Sequence, residues 1–243
     1  MNRSKHGPAR SYDGVVLRIR KNSAGTRVLT VFTAQKGLIR LFAGTVKQTA
    51  KQGGGPFLLL SDISFEAWEK DGGYTLSEYE CRNSRAMLDL EWQTYVYSQI
   101  FTDIALALLP EAEADMRVFA LLRAYCAGIN TKDVRTATIV AGWQLVGLAG
   151  LFPNPENVYV YRDGRYANGM RRWHIGTAHR EGRLSERLSP VLKEQWESVC
   201  SYTWERGTTL RLTAAALQYL EEFLYSYVSE CSERELKSLQ LLR

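Results

Sequence analysis

Seven cations near the N-terminus have the types and spacing to hold a polyanion. Arg18 and Arg20 alternate with apolar residues, and Lys21 follows. Arg27 opens the next apolar stretch, Arg40 lies inside a third, and Lys47 and Lys51 punctuate the polar run after it. Guanidinium and ammonium groups spread in this way can neutralise successive phosphates, giving binding that ignores base sequence and weakens with salt. The first 55 residues hold eleven Lys and Arg against one acid, Asp13, a net of +10; the whole chain carries +5, so the remainder sums to −5. Such segregation is the footprint of a nucleic-acid surface, and solubility alone does not require it. Tyr12, Phe42 and Trp68 are aromatic faces on which bases could stack, and each is equally suited to a core.

Other chemistries find little support. His174 and His179 are five residues apart with no neighbouring cysteine, and His6 lies in a basic N-terminal arm. Cys81, Cys126, Cys200 and Cys231 are scattered, which gives neither a CxxC zinc ribbon nor a disulfide framework and fits a reducing compartment. No GxSxG elbow occurs. Gly53-Gly54-Gly55 invites a phosphate-cradle reading, but Pro56 stands where a P-loop needs its lysine. The carboxylate pairs Glu221-Glu222 and Glu233-Glu235 are expected on solvated faces of amphipathic helices. The residues therefore point to a binding protein with no metal, no cofactor and no catalytic group.

The elements that must position the cations read as an α+β chain. Asp13-Gly14 opens a first strand, in which alternation puts Val15, Leu17 and Ile19 on the core face and Val16, Arg18 and Arg20 on the other. Arg27–Thr33 and Lys36–Ala43 are the second and third strands. A basic Gly-rich loop, 44–56, follows. Phe57–Glu69 and Tyr74–Cys81 pair across Asp71-Gly72-Gly73, with Ile63, Phe65 and Ala67 on one face and Asp62, Ser64, Glu66 and Trp68 on the other. Five strands with a long loop after the third predict an OB-type β-barrel over residues 1–82, with an SH3-like barrel as nearest competitor. From residue 83 to 243 a helical domain is expected. Val96, Ile100, Ile104 and Leu108 form an i+4 row, and Met116–Ile129 and a helix through Ala149 complete a three-helix bundle. Residues 154–190 hold seven arginines and many turn formers, and read as a short irregular insert with a small hairpin across Asp163-Gly164. Further helices follow from Leu192 and from a Thr213 cap. No apolar run approaches the roughly 20 residues that span a bilayer, and no secretory signal opens the chain.

Three stretches carry a family resemblance: DGVVLRIRKNSAGTRVLTVFTAQKGLIRLFA, AGWQLVGLAGLFPNPENVYV and ELKSLQLL. In order and register they resemble the RecO family of bacterial recombination mediators, with its "GiVL" opening strand, its helix ending in "LG-GL-P" and its closing "lKS" segment. The likeness spans nearly the whole chain. It implies a cytoplasmic, nucleoid-associated protein without enzymatic activity, acting in recombinational DNA repair. Such a protein binds single- and double-stranded DNA, anneals complementary strands and helps load RecA. Its implied partners are RecR, sometimes RecF, and the C-terminal tail of the single-stranded DNA-binding protein; no membrane is involved. The tail would need a basic groove on the helical domain, for which Arg123, Arg135 and Arg211 are candidates. Many family members carry a four-cysteine zinc module after the "GL-P" helix. Here Val158 and Tyr161 take the place of the first cysteine pair, so zinc is not expected. The family's basic stretch after the third strand is altered too, reading AGTVKQTAK, with Lys47 and Lys51 its remaining cations. The alternatives are an OB-fold RNA-binding protein and a protein-interaction adaptor.

Overall fold

A computed structural model describes residues 8–23, 25–44, 57–70, 72–83, 91–129, 131–154, 156, 158–176, 185–205 and 207–242. They divide into two compact units, Met1–Glu91 with Leu109–Cys126, and Trp92–Leu108 with Ala127–Arg243.

In the first unit, β1 (Arg10–Lys21), β2 (Arg27–Thr33), β3 (Gly37–Ala43), β4 (Asp62–Lys70) and β5 (Gly73–Asn83) close a barrel in the order β1-β2-β3-β5-β4. β1 is long enough to pair with β2 along one half and β4 along the other. The barrel closes by a short parallel seam, Leu41 beside Tyr74 and Phe42 beside Thr75. The expected OB-type barrel is thus present. Gly73 makes the seam possible, because a Cβ there would lie 2.8 Å from Cε2 of Phe42 and 2.9 Å from the Arg40 carbonyl oxygen.

The alternation in β4 is as expected: Ile63, Phe65 and Ala67 face the core. That in β1 is not. Val16 pairs with Val31 but Arg18 pairs with Thr30, so a bulge lies between Val16 and Arg18. The extra residue resets the period. Val16, expected outside, joins the core with Leu29, Val31, Ile39 and Leu41, and Ile19 packs against the same cluster. Arg18 and Arg20 stay on the outer face. Tyr12 is 3% exposed and packs inside on Phe65, at 5.5 Å between ring centroids, so it is a core residue and no base-stacking platform.

The helices are α1 (Trp92–Leu108), α2 (Met116–Gly128), α3 (Val134–Leu148), α4 (Pro190–Cys200) and α5 (Ala214–Cys231). The expected bundle of the first three is corrected: most of α2 belongs to the barrel unit. Its Arg123 Nε donates to Oδ2 of buried Asp62 at 2.8 Å, and its Cys126 Sγ donates to the Leu60 carbonyl at 3.4 Å. In the second unit α3 is central. Its Trp143 is fully buried, meets Trp196 of α4 edge-on at 4.6 Å and donates Nε1 to the Leu220 carbonyl of α5 at 3.0 Å. Asp133 and Thr213 cap α3 and α5, each side chain accepting a backbone N–H of the first turn.

The insert is a small antiparallel sheet. β6 (Tyr159–Arg165), β7 (Arg171–Gly176) and β8 (Ser185–Arg187) lie in the order β7-β6-β8. The hairpin expected across Asp163-Gly164 is corrected, since β6 runs through that dipeptide with a bulge between Arg162 and Gly164. The chain turns later, where the Tyr166 N–H donates to the Met170 carbonyl and Gly169 takes a φ of +86°. Both a bulge and a turn use a glycine at positive φ, and Gly164 has φ +118°.

Candidate nucleic-acid interface

The cationic strands share the outer face of the barrel. Register across β1, β2 and β3 places Arg18, Thr30 and Arg40 in one row. The neighbouring row runs through all five strands as Arg20, Val28, Phe42, Thr75 and Trp68. Arg20 and Arg40 are exposed, whereas Arg18, Phe42 and Trp68 are half-buried. The two rows together therefore set three guanidinium groups near one partly open aromatic ring, Phe42, whereas Trp68 lies two strands further round the barrel on β4. Cations for phosphates flanked by ring faces for bases are what a single-strand platform needs.

The same outer surface is polarised. On β4 and β5 it carries exposed Glu66, Glu78 and Glu80, with Glu66 directly opposite Glu78. Like charges directly opposite one another cost stability. A polyanion lying on the barrel is thus drawn to the β1–β2–β3 half and repelled from the other. Arg40 also meets Glu111 at 2.7 Å, with the two side chains 61% and 70% exposed. Such an exposed pair contributes about 0.2–1 kcal/mol, so a phosphate can displace the carboxylate at small cost.

The other expected cations sit differently. Lys21 and Arg27 face each other at the base of the turn after β1, which Asn22 closes by accepting from Thr26 N at 2.8 Å through its side chain. Their row ends on Ala43, a core residue, so these two exposed cations lie at the barrel end and away from the face of Arg18, Arg20 and Arg40. Lys47 and Lys51 lie outside the described residues. Arg123 and Arg135 do not line one groove of the helical unit. Arg123 belongs to the barrel unit and binds Asp62, Arg135 binds Glu221 in the second, and Arg211 is exposed there.

The largest departure concerns Glu221 and Glu222, expected on a solvated face and here each 3% exposed. Glu221 Oε1 accepts from the hydroxyls of Tyr97 and Tyr225, both at 3.0 Å, and Oε2 accepts Nε of Arg135 at 2.9 Å. Glu222 Oε2 accepts from Arg171 Nε at 2.8 Å and Trp173 Nε1 at 3.0 Å. Burial, with the Glu221 charge beside it, pushes both tyrosine hydroxyls well above their ordinary range. Glu233 and Glu235 are exposed, as expected. The seven arginines of the insert were the available signal that buried acids elsewhere would find partners.

His174 Nδ1 lies 2.8 Å from Glu230 Oε1. Among the described residues no three His, Cys, Asp or Glu are grouped as a metal would need, and no described helix is long and apolar enough to cross a membrane. The chain matches no model of a known protein family and no curated protein.

Proposed function

We propose that this chain is a non-enzymatic DNA-binding protein and a recombination mediator of the RecO type. Its barrel holds the sugar–phosphate backbone of single- and double-stranded DNA along β1, β2 and β3. Arg18, Arg20 and Arg40 contact phosphates, and Phe42 offers a ring face to an unpaired base. The observation that carries this reading is the pair of cross-strand rows that brings Arg18, Arg20, Arg40 and Phe42 to one face of β1, β2 and β3. Backbone contacts without base-edge readout suit strand annealing, in which any sequence must be held and released. The family resemblance adds the partners: RecR, sometimes RecF, the tail of the single-stranded DNA-binding protein, and RecA as the protein loaded. Buried Val158 and Tyr161 stand where related chains have zinc cysteines, and they support an insert held by packing without metal.

The test compares two variants in fluorescence anisotropy with labelled oligonucleotides. Arg18→Ala/Arg20→Ala/Arg40→Ala should lose single-stranded DNA binding at moderate salt, while Glu66→Gln/Glu78→Gln should bind at least as well as the parent. Equal loss in both would contradict a site on the cationic half. Preference for RNA of the same sequence would move the reading to an RNA-binding barrel, and failure of the parent to bind either would leave the adaptor.

A further inference from the structure

On the second unit, residues of the insert sheet and of helices α1, α3 and α5 line an open cavity of about 650 Å³. Its charged lining is Arg135, Arg162, Arg165 and Arg171 against Glu221 and Glu222, so four positive charges meet two negative ones. The cavity is far larger than a bare ion needs and lies within the range of small-molecule sites. Nothing in the barrel reading uses it.

The two carboxylates do not cancel the site. They line it as well, and each holds one of the arginines in place. Arg135 spends Nε and Nη2 on Glu221, and Arg171 spends Nε on Glu222 at 2.8 Å while its guanidinium stacks 4.7 Å above the Tyr219 ring. A guanidinium has five N–H donors in a rigid fork, so each keeps donors for a ligand after its carboxylate is served. Arg165 is fixed by donating Nη1 to the Gly169 carbonyl at 2.7 Å. Arg162 is exposed and makes no ion pair among the described residues. The result is a set of oriented guanidinium forks with a surplus of two positive charges.

We infer that this cavity binds a dianionic phosphomonoester. The charge surplus equals that of the ligand, and planar forks match the tetrahedral oxygens of phosphate. Leu242 and Met170 are the only aliphatic residues in the described lining, which disfavours a peptide with bulky apolar side chains. The one aromatic residue there, Tyr97, has its hydroxyl committed to Glu221. The site therefore reads the phosphate and leaves an attached base unread. Two sources share this chemistry: the phosphorylated end of a nucleic-acid strand and a free small phosphate ester.

Titration calorimetry of the full chain with glycerol 3-phosphate tests the site. The parent should bind, and Arg162→Gln/Arg165→Gln, which removes two exposed side chains and leaves the buried pairs intact, should bind at least tenfold more weakly. The Arg18→Ala/Arg20→Ala/Arg40→Ala variant should keep the parent affinity, so failure of the barrel site and failure of this one are separable. A second arm compares oligonucleotides with 5′-phosphate and 5′-hydroxyl ends. A tenfold preference for the phosphorylated end that vanishes in the Arg162/Arg165 variant identifies a strand end as the source; binding of glycerol 3-phosphate without that preference identifies a free ester. No binding of glycerol 3-phosphate, an unchanged affinity in the Arg162/Arg165 variant, or tighter binding of a hexa-aspartate peptide than of the ester would overturn the inference.

Discussion

Replacing Glu221 by glutamine should destabilise the helical unit far more than its surface-like sequence context suggests. The carboxylate is 3% exposed and gathers Tyr97, Tyr225 and the Nε and Nη2 groups of Arg135. Glutamine keeps one oxygen for the two tyrosines but turns an amide NH₂ toward the Arg135 fork, so donor faces donor. Removing one partner of a buried ion pair costs about 3–5 kcal/mol. The Arg135 side chain is 34% exposed, so water recovers part of that loss. The expected cost is thus about 2–3 kcal/mol. Urea unfolding followed by tryptophan fluorescence is the assay, because Trp92, Trp143, Trp173, Trp196 and Trp204 all lie in this unit. The midpoint should fall with little change of slope. Glu221→Gln/Arg135→Met should recover at least about 1 kcal/mol of the combined single-variant losses, because residues in one network are not additive. A Glu221→Gln cost below about 0.5 kcal/mol, or strict additivity in the double variant, would refute the buried-pair reasoning.

Three further outcomes are expected. Tyr97 and Tyr225 have hydroxyls raised above their unfolded value of about 10, so the native state retains protons that the unfolded state sheds. Their stabilisation is complete below pH ~10 and is lost above it, by up to about 1.4 kcal/mol per pH unit for each tyrosine, and unfolding midpoints between pH 8 and 11.5 will show whether the decline begins there. Gly37→Ala should cost about 3 kcal/mol, visible as a lower Tm, because φ is +65° and the new Cβ would sit 2.0 Å from the Glu113 carbonyl oxygen. In native protein at pH 8, iodoacetamide should label exposed Cys231 first. Cys200, pushed up to about 12 by burial and the nearby Glu197 charge, and buried Cys126 should react only after unfolding, as peptide mass mapping will show.

How far the chain could be read in advance follows the physics of each segment. In β4 the period of two runs unbroken through Ile63, Phe65 and Ala67, so both faces were legible. In β1 three consecutive apolar residues, Val15, Val16 and Leu17, fit either register, and the bulge that chooses between them leaves no mark in composition. The outward arginines were foreseeable all the same, because burying a guanidinium group in an apolar barrel core is costly. Asp163-Gly164 signalled a glycine at positive φ, which a bulge satisfies as well as a turn. Glu221 and Glu222 escaped because burial depends on donors 51 to 124 residues away in sequence, Tyr97, Arg135 and Arg171. Neighbouring carboxylates on a helix look solvated until those partners are in place. The alignment of Phe42 with Arg20 is likewise a matter of register across three strands, which spacing along the chain does not encode.

The central claim is that phosphates lie against Arg18, Arg20 and Arg40. The measurement that tests it most directly is the salt dependence of single-stranded DNA affinity for the parent and for the triple alanine variant. Each phosphate contact contributes about 0.7 to the slope of log K against log salt, so removing three should flatten it by about two. A flattened slope with the fold retained is the predicted result. A variant that binds with the parent's slope would contradict the claim and move the DNA site off this face of the barrel.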